Sequence, residues 1–228
     1  MKKSFTLVTI LLLSVFISIP GYAQFKLSVA PALGMNFNLY SGSDIPESGS
    51  GFGLVFGGYA DMSFSPTVGL ITGLAFYDNR SGSYSTTGTA QDPQAGNFNY
   101  TIDSDASLAY FQIESLFKLS IPRSGFYFVV GPILGFNMSS EGEQTITLTT
   151  PGLTFQGGSN KQTSKATIKD TQVRFELKAG AGYDIPLSRL ITVAPQLSFG
   201  YGLTNVVKDV KWKILTIQLM ASAKFNLI

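Results

Sequence analysis

The stretch FKLSVAPALGMNFNLY, residues 25–40, separates into two unlike rows when every second residue is read. The apolar row consists of Phe25, Leu27, Val29, Pro31, Leu33, Met35, Phe37 and Leu39. The other row consists of Lys26, Ser28, Ala30, Ala32, Gly34, Asn36, Asn38 and Tyr40. A period of two predicts a β-strand with two different faces. The fold class therefore depends on whether the apolar face meets a protein core or lipid.

The composition favours lipid as the surroundings of such a face. Charged residues make up 13% of the 228 residues, whereas ordinary soluble domains contain about 25%. After residue 23, no apolar run reaches the roughly 20 residues that a membrane-spanning helix needs. Only helices and closed β-barrels satisfy every backbone hydrogen bond inside a bilayer. A strand-rich chain with so little charge therefore predicts a closed membrane barrel.

The N-terminus has the pattern of a cleavable secretory signal. Two lysines open the chain, the apolar run Phe5–Ile19 follows, and the small residues Gly21 and Ala23 occupy positions −3 and −1 of a cleavage site. We therefore predict a signal peptide over 1–23 and an outer-membrane β-barrel domain over 24–228. Without the two signal lysines the 16 basic residues become 14, equal to the 14 acidic residues. A neutral mature chain gives no reason to expect nucleic acid as a partner.

Seven further segments repeat the alternation of the first. The eight predicted strands are Phe25–Tyr40, Phe52–Phe64, Val68–Asn79, Ala106–Leu119, Phe126–Met138, Thr171–Asp184, Leu190–Leu203 and Lys213–Leu227. Short turns follow the second, fourth and sixth strands, and longer polar connections follow the others. An even number of strands, short periplasmic turns and long outer loops are typical of membrane barrels. We predict an all-β fold, an eight-stranded antiparallel up-and-down transmembrane β-barrel.

The second row of each strand indicates which face is outside. A soluble barrel of the lipocalin kind would alternate in the same way, but its outer row would be rich in charged side chains. Here the second row is mostly Gly, Ala, Ser, Asn and Tyr, and small residues suit the narrow interior of an eight-stranded barrel. Aromatic residues crowd the strand ends, as interfacial girdles require. We therefore expect the apolar rows to face outer-membrane lipid.

Charged residues of both signs fall on the predicted lumen face. They are Lys26, Asp61, Glu114, Lys118, Arg174, Glu176, Lys178, Asp184 and Lys224. In a narrow lumen they must pair, because removing one partner of a buried ion pair costs about 3–5 kcal/mol. The predicted lower layer, near the periplasmic end, consists of Lys26, Asp61, Lys118, Asp184 and Lys224. We expect Lys26 to pair with Asp61 and the paired side chains to plug the lumen. An ion or proton path and a small-ligand site are the alternatives.

Three prolines occupy matched places on strands that run in one direction. VAPALG at 29–34 recurs as VGPILG at 130–135 and as VAPQLS at 193–198. A proline cannot donate a hydrogen bond to a neighbouring strand. Pro31, Pro132 and Pro195 therefore each predict a bulge or a missing ladder bond.

Several of these segments resemble PorT-type outer-membrane β-barrel proteins, a group related in form to OmpA and OmpX. AYFQIESLFKLSI at 109–121 is similar to the signature Tyr-Leu-Glu-Ile-Pro-Leu-Leu-Leu-Lys, with Ile113 and Lys118 in matching places and Ser115 where that family has Pro. FVVGPILGF, LKAGAGYDI and FGYGLTNV look like later strands of the family. The resemblance implies an outer-membrane barrel. It carries no catalytic motif.

Function is read from what a barrel would expose. The predicted outer loops Ser41–Gly51, Arg80–Asp105 and Ser139–Asp170 are polar and suit protein or glycan partners. TITLTT at 145–150 is strand-like, so the fifth and sixth strands are expected to extend outward as a hairpin. We favour a structural or surface-interaction protein that is monomeric. The alternatives are an accessory component of a secretion or envelope-assembly machine and a narrow channel.

Enzymatic activity is not expected. The chain has no His and no Cys, and outer-membrane barrel enzymes resemble one another in using an active-site His. Asp103 and Asp105 form a close carboxylate pair, but two carboxylates fall short of the 6–8 oxygen ligands of Ca²⁺. We therefore predict no cofactor and no metal.

Overall fold

The computed structural model describes residues 25–45, 49–92 and 96–227. The predicted signal peptide lies outside these residues. Within them the strands are β1 Lys26–Ser41, β2 Ser50–Ser63, β3 Val68–Asn79, β4 Gly82–Asp92, β5 Gly96–Ser120, β6 Phe126–Leu148, β7 Lys161–Thr167, β8 Arg174–Tyr183, β9 Ile185–Pro186, β10 Ile191–Gly202 and β11 Lys213–Asn226. No helix in the described part of the chain is long and apolar enough to span a membrane.

Antiparallel pairing between neighbours closes the sheet into a barrel. In the described residues, eight strands form the ring in the order β1, β2, β3, β5, β6, β8, β10 and β11. The pairing of β1 with β11, from Ser28↔Asn226 to Ser41↔Lys213, completes it. The predicted eight-stranded antiparallel barrel is confirmed.

Burial alternates along the ring strands as the period of two predicts. Leu33 and Leu219 point outward and are 63% and 58% exposed, whereas the lumen residues Asn36 and Gln218 are 0% and 1% exposed. A folded soluble protein would bury the first pair and expose the second. The barrel therefore has an apolar outside and a polar, filled inside, which is the arrangement that lipid requires.

Four strand segments continue beyond the ring and form an outer sheet. β4 pairs with the first half of β5, from Gly82↔Ala106 to Asp92↔Gly96. The same half of β5 pairs with the end of β6, which in turn pairs with β7. The fifth predicted strand corresponds to β6, and its predicted outward extension is confirmed. The sixth predicted strand corresponds to β8 and does not extend as one piece, because β7 ends at Thr167 and β8 begins at Arg174.

The two longest predicted loops are therefore largely β-structure. Most of 80–105 is the β4–β5 hairpin, and most of 139–170 belongs to β6 and β7. Sequence reasoning missed the first hairpin, although Phe98, Tyr100 and Ile102 alternate there with polar residues. The many Ser, Thr and Asn residues around them have the composition of a loop, and this hid the period of two.

All three matched prolines interrupt a ladder, as predicted. The pairs between β1 and β11 pass from Val29↔Phe225 to Ala32↔Ser222 and skip Pro31. The pairs between β5 and β6 skip Pro132 in the same way, between Ile133 and Val130. The pairing of β10 with β8 begins only at Gln196, next to Pro195. The register does not change at Pro31 or Pro132, so the defect is a missing pair and not a bulge.

Candidate functional site

The lower layer of the lumen is a quartet of ion-paired side chains. Lys118 Nζ lies 2.7 Å from Asp61 Oδ2 and 3.2 Å from Asp184 Oδ2. Lys224 Nζ lies 2.5 Å from Asp61 Oδ2 and 2.6 Å from Asp184 Oδ1. The ring of Tyr127 lies above both ammonium groups, 4.6 and 4.7 Å from their nitrogen atoms. Two lysines and two aspartates therefore neutralise one another, as predicted for four of the five residues of this layer.

Lys26 does not belong to the quartet, and its predicted pairing with Asp61 is wrong. Residue 26 is the first of β1 and its neighbour in β2 is Ser63, whereas Asp61 lies opposite Ser28. The Lys26 side chain is exposed at the rim and has no ion pair with any residue in the described ranges. A strand start has too little barrel around it to bury a charge.

An apolar layer lies above the quartet. Its buried members are Ala32, Tyr59, Ile71, Leu116, Tyr127, Val129, Ala194 and Met220. Gly182 and Gly200 leave space for the larger side chains that lie opposite them. A side chain at Gly182 would collide with the Tyr127 ring, and one at Gly200 would collide with the Glu176 carboxylate of the layer above. Small residues on the lumen face thus permit large ones opposite them.

The upper ionic layer contains Glu114 and Lys178, two predicted lumen residues that form an ion pair in the structure. Lys178 Nζ lies 3.0 Å from both carboxylate oxygens of Glu114 and donates to Gln218 Oε1 at 2.9 Å. Glu114 and Lys178 are 0% and 1% exposed. Tyr59 donates from its hydroxyl to Glu114 Oε1 at 3.4 Å. Arg174 and Glu176, also predicted lumen residues, form a second ion pair in this layer.

Two charged residues of this layer were missed by sequence reasoning. Asp78 and Arg80 are both fully buried, and Arg80 Nε lies 2.6 Å from Asp78 Oδ2. Asn36 and Gln112 also donate to the Asp78 carboxylate, and Arg80 donates to Thr216.

A bulge in β3 explains the error. The pairs between β3 and β5 pass from Ala75↔Gln112 to Asp78↔Tyr110, so β3 contains one additional residue there. The pairing of β3 with β2 shows the same shift next to Phe56. A bulge reverses which face later residues occupy. By simple alternation Asp78 shares the outward face of Leu74 and Phe76, but the extra residue turns it into the lumen.

With these corrections both layers are electrically neutral. The quartet has two positive and two negative groups. The upper layer has three of each: Arg80, Arg174 and Lys178 against Asp78, Glu114 and Glu176. The nine residues predicted for the lumen carry one more positive than negative charge, and the exclusion of Lys26 removes this excess. Neutral, paired layers are what a buried ionic network needs in order to be stable.

An aromatic and aliphatic layer closes the outer end of the lumen. It consists of Tyr40, Leu108, Tyr110, Val206 and Ile214. The Tyr40 ring lies 5.2 Å from that of Trp212, edge to face. The cavity at the outer mouth, about 400 Å³, and the cavity at the periplasmic mouth, about 680 Å³, share no lining residue. Four layers of side chains thus separate the two mouths.

The outer sheet has one apolar side. Ala90, Phe98, Tyr100, Ile102, Ile146 and Leu148 line a groove of about 930 Å³ with residues of the following loop. Asp103, Glu143 and Lys165 lie on the opposite face of the sheet, and Lys165 Nζ lies 2.8 Å from Glu143 Oε2. This hydrogen bond raises the pKa of the Lys165 ammonium. The sheet is therefore amphipathic, and it extends beyond the barrel ring.

The outer sheet does not provide a metal site in its described residues. Asp103 and Asp105 lie on one face of β5, opposite Thr145 and Glu143 of β6. Within the residues that the structure describes, no group of three or more His, Cys, Asp or Glu side chains is placed to hold a metal.

Comparison with known proteins agrees with this architecture. A family model described as "Outer membrane protein beta-barrel domain" matches residues 22–208. The chain is similar to Ail of Yersinia pestis, solved with the heparin analogue sucrose octasulfate, at 14% identity over 88% of this chain and 99% of Ail, with a TM-score of 0.40. It is similar to Neisserial surface protein A at 14% identity over 87% and 97%, with a TM-score of 0.40.

A third similar structure is OprG from Pseudomonas aeruginosa, at 10% identity over 92% of this chain and 99% of OprG, with a TM-score of 0.37. No curated protein matches the chain. The family match covers most of the chain, and the closed antiparallel ring with an apolar exterior is the structure that such a match requires. The protein therefore belongs to the outer membrane protein β-barrel domain family and is an integral β-barrel of the outer membrane.

Proposed function

We propose that this barrel is a non-enzymatic surface-interaction protein that binds its partners through the outer sheet. The observation that carries the proposal is the sheet itself, a continuously paired antiparallel extension of β4, β5, β6 and β7 on a barrel whose lumen is filled. A filled lumen leaves transport without a path through the barrel. The outer surface is then the part of the molecule that can make specific contacts.

The edge formed by β4 suits a protein partner. β4 pairs with β5 in unbroken register over all of its residues, while in the described chain its other side pairs with β2 only at Ser50↔Ser83. Its sequence, GSYSTTGTAQD, contains no Lys and no Pro, the residues that usually protect an edge. The opposite edge, β7, carries Lys161 and Lys165. An extended strand of a partner protein can therefore add to β4 by backbone hydrogen bonds, and surface glycans are the alternative partner.

Truncation of the β4–β5 hairpin tests the proposal. Replacement of residues 84–104 by a two-residue turn removes the β4 edge but leaves the barrel, which heat-modifiability on unboiled gels verifies. The matched control replaces residues 151–159, the loop between β6 and β7, and keeps the edge. Purified proteins in nanodiscs are then applied to arrays of extracellular proteins and glycans. We expect the wild type and the loop control to share bound targets that the hairpin variant loses; equal binding by all three would contradict the proposal.

We also infer a closer relation to PorT-type barrels within the family. The support is the set of strand segments around Ile113 and Lys118 together with the later strands. By that relation the alternative function is an accessory role in a secretion or envelope-assembly machine. Crosslinked co-purification from outer membranes tests this alternative, because a stable machine subunit would yield the same envelope proteins after hairpin truncation.

A further inference from the structure

The periplasmic mouth of the barrel is a cavity with unpaired positive charge. The cavity measures about 680 Å³, within the range of small-molecule sites. Five basic side chains line it, and the two acidic ones, Asp61 and Asp184, are both held by Lys118 and Lys224. The remaining three, Lys26, Arg123 and Arg189, have no ion pair with any residue that the structure describes. The cavity therefore has a neutral floor and a rim with three positive charges.

The rim charges are carried on well-fixed backbone. Lys26 opens β1, where it pairs with Ser63 of β2. Ser124 Oγ donates to Ile121 O at 2.9 Å and accepts from Phe126 N at 3.1 Å, which fixes the turn that carries Arg123.

The turn that carries Arg189 is held in a similar way. Ser188 Oγ accepts from Leu190 N and Ile191 N at 3.2 and 3.1 Å, and Asn226 donates to Arg189 O at 3.1 Å. The positive groups thus come from three separate elements that meet around one cavity.

The rest of the lining can hydrogen-bond an anion. Ser63, Ser120 and Thr192 contribute hydroxyl groups and Asn226 contributes an amide to the same cavity, whereas the hydroxyls of Ser28 and Ser124 already donate to Asn226 Oδ1 and Ile121 O. Hydroxyl and amide donors together with Lys and Arg side chains are the groups that bind phosphate and carboxylate oxygens. Because the charges line a cavity at the end of the lumen, they are available to a ligand that enters from the periplasm.

We propose that this mouth, formed by Lys26, Arg123 and Arg189 on the periplasmic side of the neutral quartet, binds a small anion with two or more phosphate or carboxylate groups. Three uncompensated charges in one cavity match an anion of charge −2 to −3 better than a singly charged one. The source of the anionic group is either a soluble periplasmic molecule or the headgroup of an anionic lipid of the inner leaflet. This site is independent of the outer sheet at the opposite end of the barrel.

The test compares two triple variants of the full barrel in phosphatidylcholine nanodiscs. The rim variant is K26Q/R123N/R189Q; Asn is chosen at 123 because φ is 66° there and Asn tolerates this conformation. The control, K161Q/K165Q/K169Q, removes the same charge from exposed residues at the outer end. Binding of inorganic pyrophosphate and of citrate is measured by calorimetry at low salt.

We expect saturable one-site binding by the wild type and the control, and a loss of about tenfold or more in affinity in the rim variant, since hydrogen bonds to charged groups are the strong ones. Native mass spectrometry with cardiolipin, a lipid that carries two phosphate groups, identifies a lipid source, which would give one retained lipid in the wild type and none in the rim variant. The proposal is wrong if the wild type binds neither soluble anion and retains no such lipid. It is also wrong if the two triple variants lose affinity equally.

Discussion

Replacement of Lys178 by Met tests whether the buried ionic layers hold the barrel together by specific pairs. Lys178 Nζ contacts both oxygens of Glu114 at 3.0 Å, and both side chains are almost fully buried. Met fills a similar volume but has no charge, so the Glu114 carboxylate would stay in the lumen with only the long hydrogen bond from Tyr59. Gln218 Oε1 would lose its donor as well.

The size of the effect follows from burial. Removal of one partner of a buried ion pair costs about 3–5 kcal/mol of unfolding free energy. The double variant Lys178→Met/Glu114→Leu removes both charges, and replacement of a buried pair by apolar residues is often neutral. We therefore expect the second substitution to restore about 2 kcal/mol or more of the loss.

Equilibrium unfolding by urea in lipid vesicles measures these differences. Trp212 is the single Trp of the chain and packs against Tyr40 at the outer mouth, so its fluorescence reports unfolding. The matched control is Lys165→Met, which breaks the exposed pair with Glu143 on the outer sheet and should leave the midpoint unchanged. The reasoning fails if Lys178→Met is no worse than this control, or if the double variant loses more than the single one.

Two further predictions concern the lipid face and the N-terminus. Leu219 points outward, and its neighbour Met220 lies in the apolar layer between the two ionic layers. Leu219→Arg should therefore destabilise the barrel by about 2–4 kcal/mol in the same urea assay. Thr163→Arg on the exposed strand β7 is the control, and equal destabilisation by the two substitutions would contradict a lipid-facing row. Intact-mass measurement of protein purified from outer membranes should give a chain that begins at Gln24, and a mass that retains residues 1–23 would refute the predicted signal peptide.

The barrel was predictable because the patterns that indicate it lie within short segments of the sequence. A period of two in eight segments, short turns on one side and a low fraction of charge determine a closed sheet with an apolar exterior. The neutral quartet was predictable for the same reason, since simple alternation along their strands places Asp61, Lys118 and Lys224 on the lumen face. The rows of small residues correctly indicated a filled interior.

The errors arise where the local rule is interrupted. Asp78 and Arg80 follow a bulge in β3, and the sequence does not mark which residue is the additional one. Alternation places Lys26 on the lumen face, but the residue lies at the very start of its strand, where the rim gives access to water. The outer β4–β5 hairpin has polar residues on one face and short apolar stretches on the other, so composition concealed a pattern that was present at Phe98, Tyr100 and Ile102.

Single-channel recording of the purified protein in planar bilayers determines whether ions pass through the lumen. If two neutral ionic layers and two apolar layers fill the lumen, a correctly folded barrel, verified by its heat-dependent gel mobility, should show no steady open state. The proposed binding at the two ends of the molecule does not need an open lumen. A steady, reproducible open conductance from the wild-type barrel would contradict this account and favour a channel.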